Sequence, residues 1–202
     1  MVHAGALEDV QYIVRQKEIR FIINVMSILF MAAGAIYVVI IVFIQEMFHT
    51  VTKDLGILAV ALGLGLFLGS VLYGKFGTRF SRFKTIFFCL ILGGVMLTFF
   101  TMFVYFTHNK FIGMGLSFIL GLVIGPIVIA SNTIVHEICS NEMRGKVFSA
   151  LEFVMHLAFL IAMFASSTLS EHYPRVYILV GVGGVFLLVG VAGLIKYRNV
   201  AR

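Results

Sequence analysis

Six stretches of the chain are each long and apolar enough to cross a lipid bilayer: Phe21 to Ile44, Leu55 to Tyr73, Thr85 to Phe106, Phe111 to Ile134, Phe148 to Leu169 and Val176 to Ile195. About 20 apolar residues span the hydrocarbon layer as a helix. No water is available there to satisfy backbone N–H and C=O groups, so such runs must be helical. A membrane β-barrel would instead show alternating segments of roughly 10 residues, and these runs do not alternate. Apolar residues make up 61% of the chain and charged residues 12%, against about 25% charged in a soluble domain. A soluble globular fold is excluded. The expected fold is all-α: six transmembrane helices.

The cations give the orientation. With the N-terminus in the cytoplasm, the inner segments hold Arg15, Lys17, Arg20, Lys75, Arg79, Arg82, Lys84, Arg144, Lys146, Lys196, Arg198 and Arg202, and the outer loops only Lys53, Lys110 and Arg175. Lys and Arg concentrate on the cytoplasmic side of membrane proteins, so both termini are expected there, in the plasma (cell inner) membrane. The net charge of +6 follows from this topology and calls for no nucleic-acid partner.

Ahead of the spans, residues 1–20 read as an amphipathic helix. Leu7, Val10, Ile13 and Val14 fall at helical spacing among Glu8, Asp9, Gln11 and Arg15, which suits a helix at the membrane interface or one joining an upstream membrane domain. No cleavable signal pattern is visible in this stretch. Residues 21–196 form the six-helix bundle and residues 197–202 a basic tail. The two cysteines, Cys89 and Cys139, match no metal spacing and no disulfide framework, and both are expected to be free thiols.

Small residues mark packing faces. Gly113, Ser117, Gly121 and Gly125 recur every four residues, as do Gly65 and Gly69, and such stripes let helices approach closely in lipid. Pro126 lacks an N–H and is expected to kink its helix.

Ionisable side chains inside a membrane are costly and point to function. Glu152 and His156 are four residues apart in the fifth span, on the face that Ser149 extends. Imidazole is the side chain that changes charge nearest neutral pH, so the pair suits proton coupling or solute contact. Alternatively, Glu152 pairs with Arg144 or Lys146 and anchors the helix. Asn24 and Asn132 are further pathway candidates, with Ser27, Ser131 and Thr133 beside them; the plainer reading is hydrogen bonding between helices. No enzyme signature is complete: His136 and Glu137 begin HExxH, but Ser140 stands where the second His belongs. No catalytic residue, metal or cofactor is expected.

The segment Gly69 to Lys84 reads GSVLYGKFGTRFSRFK. Through Gly69, Gly74, Arg79, Arg82 and Lys84 it resembles the loop signature of the major facilitator superfamily, G-x-L-x-x-G-x-x-x-D-R-x-G-R-x-[RK], which joins the second and third helices of each half. The family's Asp is Thr78 here and its second loop Gly is Ser81, which implies a weakened charge relay. Asn132 to Ser149, NTIVHEICSNEMRGKVFS, is similar to the loop before the fifth helix of the C-terminal half, through Met143, Arg144, Gly145, Lys146 and Val147. The helix leading into the first span also resembles the cytoplasmic helix entering that half. Gly121 to Pro126 is similar to an exporter motif that the family carries on a different helix.

The resemblance implies one half of a twelve-helix fold, the C-terminal half, built as a 3+3 inverted repeat. Its first, second, fourth and fifth helices would line a cavity, and its third and sixth would face lipid. The implied function is secondary transport or efflux by alternating access of a small amphiphilic or hydrophobic solute. The implied partners are the bilayer, the solute, and an N-terminal six-helix half on the same or a separate chain, or a homodimer mate. The alternative is a six-helix membrane scaffold with no solute path, in which Asn24, Asn132, Glu152 and His156 would scatter rather than converge.

Overall fold

A computed structural model describes residues 17–48, 52–77, 81–139 and 141–200. Arg79 and most of the expected N-terminal amphipathic helix lie outside the described residues. The described chain forms six helices: α1 (Lys17–Phe48), α2 (Thr52–Phe76), α3 (Arg82–Thr107), α4 (Lys110–Ile138), α5 (Asn141–His172) and α6 (Arg175–Val200). Each contains a stretch long and apolar enough to cross a membrane.

The helices outrun the apolar runs at both ends. The shortest has 25 residues and the longest 32, or roughly 38 to 48 Å at 1.5 Å per residue, whereas the hydrocarbon layer is about 30 Å thick. The surplus carries the charged side chains out of the apolar layer. Helix α6, for example, continues from Ile195 through Lys196 to Val200.

Short connections make consecutive helices antiparallel. The α3–α4 reversal takes only His108 and Asn109. His108 adopts a left-handed conformation (φ 50°), and its N–H donates to the Val104 carbonyl. Asn109 then caps α4, its side-chain oxygen accepting from the Phe111 N–H at 2.9 Å. Two faces of the bundle follow. The near face carries the starts of α1, α3 and α5, and the far face carries the starts of α2, α4 and α6.

Three helix pairs dominate the packing: α2 with α4, α1 with α5, and α3 with α6; α3 also packs on α4. Glycine makes each close approach possible. In the α2–α4 seam, Gly65 and Gly69 lie against the Phe118 and Leu122 carbonyls, and Gly121 and Gly125 against the Leu62 and Leu66 carbonyls. A Cβ at any of the four would strike backbone. The two stripes read from the sequence are thus the two sides of one seam. Pro126 adds a detail: it lacks the N–H that would ordinarily reach the Leu122 carbonyl, and that carbonyl faces Gly69. Gly34 meets the Phe159 carbonyl between α1 and α5, and Gly94 and Gly183 meet between α3 and α6.

Two apolar clusters fill the interior. The larger, toward the near face, includes Ile22, Ile86, Leu90, Ile127, Val147 and Leu151. The smaller, toward the far face, includes Val39, Phe43, Phe100, Val104 and Leu179. Helix α3 has the largest buried share of the six spans, yet its other side exposes Phe88, Phe99, Phe103 and Phe106. Hydroxyls in the spans mostly bond within their own helix. Thr98, Thr101 and Thr133 donate to the Gly94, Leu97 and Ile129 carbonyls at 2.7 to 2.9 Å. For Thr133 the expected bond between helices gives way because a carbonyl four residues back is within reach of a Thr hydroxyl, while the buried Ser131 hydroxyl has no partner among the described residues. Cys89 and Cys139 are free and buried.

Candidate functional site

Helical spacing sets Ser149, Glu152 and His156 along one side of α5. With Phe153, Leu157 and Leu160 they line an open groove of about 430 Å³. Every lining residue belongs to α5, so the groove is a strip of exposed helix rather than an enclosed chamber. Phe153, Leu160, Ile161 and Phe164 are all more than half exposed along this helix. A carboxylate and an imidazole therefore sit among bare apolar side chains.

The imidazole has a defined orientation. His156 Nδ1 lies 2.7 Å from the Glu152 backbone carbonyl. A carbonyl only accepts, so Nδ1 carries a proton in this contact. The ring also meets Phe30 of α1 edge-on, with centroids 6.0 Å apart, which ties the strip to the α1–α5 pair. Arg144, one of the expected partners of Glu152, is engaged elsewhere: its Nη2 donates to the His136 carbonyl at 2.9 Å. Among the described residues the Glu152 carboxylate has no ion pair.

Asn24 is exposed on α1 and Asn132 half-buried on α4, and neither lines the α5 groove. Helices α1 and α5 run parallel with Phe30 opposite His156. Asn24, six residues before Phe30, thus lies at the depth of Ser149 and Glu152, within about 5 Å along the axis.

The loop-signature residues take separate places. Gly69 belongs to the α2–α4 seam, while Gly74 has open space around it. Arg82, at the start of α3, is ion-paired with Glu137 in the last turn of α4. Lys84 is exposed. Arg144, from the start of α5, caps the same end of α4 through the His136 carbonyl, where a cation also faces the negative end of the helix dipole. Sequence reasoning named both arginines but missed this convergence on α4; Glu137 figured only as part of a failed enzyme pattern. On the far face, Arg175 of α6 pairs with Glu46 of α1 at 3.3 Å, and Lys110 of α4 approaches Asp54 of α2 at 3.9 Å.

Six helices long and apolar enough to cross a membrane, with charged ends joined by ion pairs, define a polytopic membrane protein. The family model of the Major Facilitator Superfamily matches residues 23–201, and the chain belongs to that superfamily of transporters. A comparison with curated proteins gives no match.

Proposed function

We propose that the chain is a six-helix half of a secondary active transporter, which moves a small amphiphilic or hydrophobic solute by rocking against a second six-helix half. The observation that carries this reading is the exposed α5 strip: within an apolar span, Glu152 and His156 are exposed and line an open groove whose described lining comes from α5 alone. Charged groups are not left toward hydrocarbon without a use, and a facing half would turn the strip into one wall of a polar path. Its apolar flanks, Phe153, Leu157 and Leu160, suit a solute with hydrophobic character.

The helix pairing supports a 3+3 inverted repeat. Exchanging the first three helices with the last three turns the α1–α5 contact into the α4–α2 contact and leaves the α3–α6 contact unchanged. Those are the three main interfaces. The facing half is a companion on the same or a separate chain, or a second copy of this one. The near face, which bears the clustered cations, is the cytoplasmic one, with both termini on that side of the inner membrane.

Glu152 and His156 serve as a proton-coupling pair. His156 Nε2 takes up the proton while Nδ1 stays on the Glu152 carbonyl, and the Glu152 carboxylate balances the charge. The test is solute flux in proteoliposomes holding the assembled transporter, with an imposed pH gradient. Glu152→Gln and His156→Gln should each abolish uphill accumulation while leaving downhill exchange. Gradient-driven accumulation that survives both substitutions would remove the pair from the mechanism. Absence of any flux in the unaltered assembly would favour a scaffold.

A further inference from the structure

A second groove, of about 570 Å³, lies between α2 and α4 toward the far face, lined by Lys53, Gly56, Ile57, Val60, Ala61, Leu64, Met114, Gly115 and Phe118. We infer that it holds an acyl chain of an anionic membrane lipid whose headgroup sits on Lys53.

Three features point to this occupant. The first is shape: the groove is open along its side, and Gly56 and Gly115 leave its floor bare, with open space where a Cβ would stand at either. Its volume falls within the range of ligand sites, about 300 to 1,000 Å³. The second is length: from Lys53 to Leu64 the groove runs 11 residues of helix, about 16 Å, which matches one leaflet, half of the roughly 30 Å hydrocarbon layer. The third is charge. Its lining is apolar except for Lys53, which stands exposed at the membrane-surface end. The nearby Asp54 is buried and faces Lys110 at 3.9 Å, so its carboxylate is turned toward another cation. Among the described residues Lys53 has no ion pair. An apolar trough one leaflet long with a single cation at its mouth is complementary to an anionic headgroup followed by a chain. This inference does not rest on the transport reading.

The chain contains no tryptophan, so a single introduced Trp reports cleanly. Leu64→Trp places the probe at the inner end of the groove. Val185→Trp, on the exposed side of α6, is the control. Each variant of the full chain is reconstituted in vesicles containing increasing fractions of phosphatidylglycerol or phosphatidylcholine with brominated chains, which quench Trp fluorescence. Brominated phosphatidylglycerol should quench Leu64→Trp at about a fivefold lower mole fraction than brominated phosphatidylcholine, the factor expected of one lysine at an anionic surface. The Val185→Trp control should show no such preference. Adding Lys53→Gln should abolish the preference. Adding Gly115→Leu, which fills open space rather than striking a neighbour, should remove the preferential quenching while the protein stays folded. Equal quenching by both lipids at Leu64→Trp would overturn the inference. So would quenching by neither lipid there, which would mean that another polypeptide covers the groove.

Discussion

Arg82 and Glu137, 55 positions apart, meet in an ion pair that joins the start of α3 to the end of α4. The guanidinium side chain is 33% exposed and the carboxylate 54%, so water screens the contact and it contributes at most about 1 kcal/mol to stability. Glu137→Gln should therefore shift the thermal midpoint in detergent only slightly. Its larger effect should be local: the last turn of α4 loses one of its two arginine clamps, and Cys139 just beyond it should react faster with maleimide. The charge reversal Arg82→Glu with Glu137→Arg should restore the slow rate. A Glu137→Gln rate equal to that of the unaltered chain would show that the pair holds nothing in place.

Cys139 carries its own pH signature. Burial pushes its thiol above the ordinary value, and the Arg144 cation opposes that rise. The thiolate is the reactive form. In a Cys89→Ala background, the labelling rate should therefore keep climbing above the pH at which an exposed thiol levels off. Arg144→Gln removes the opposing cation and should move the midpoint further up. A downward move would contradict the assignment.

The glycines divide into two sorts. Gly121→Ala would drive a Cβ into the Leu62 carbonyl, whereas Gly56→Ala and Gly115→Ala meet nothing. Overpacking of this kind costs about 1–3 kcal/mol, while a surface change costs within about 0.5 kcal/mol. Thermal unfolding of the three variants in one detergent should separate the first clearly from the other two.

His108 holds a left-handed conformation that glycine adopts freely. His108→Gly should raise stability by about 1 kcal/mol, and His108→Val should lower it by at least as much, since a β-branched side chain fits that region worst. Equal midpoints for the two variants would rule out strain at the α3–α4 turn.

Much of this architecture is legible in one dimension because lipid imposes it. The runs from Phe21 to Ile44 and from Val176 to Ile195 declare themselves by length alone, and the four-residue spacing of Gly113, Ser117, Gly121 and Gly125 announces a seam. What a spacing cannot supply is the mate. Nothing in the order of residues says that Gly121 will meet Leu62, or that His156 will meet Phe30 of α1. The two stripes could be noticed separately, but their joining depends on how the bundle closes. The same limit hid Glu137, whose meaning comes from an arginine on another helix, and Lys53, which as a letter is one more outer-loop cation and becomes notable only at the mouth of an apolar groove. The α5 strip was readable because its members share one helix, while Asn24 and Asn132 required three dimensions to be set apart from it.

The contact between Gly69 and the Leu122 carbonyl has a mechanical consequence. Pro126 takes away that carbonyl's ordinary partner, and the bare Cα of Gly69 offers only a weak C–H donor in its place. Pulling α2 away from α4 would remove that last donor, at a cost of about 0.5–1 kcal/mol for the contact itself, in addition to the close packing of the four glycines. The two helices form the most extensive seam of the bundle. The sparse contacts are those between α1 and α2 and between α5 and α6, so bending of this bundle would cost least there and most across the α2–α4 seam.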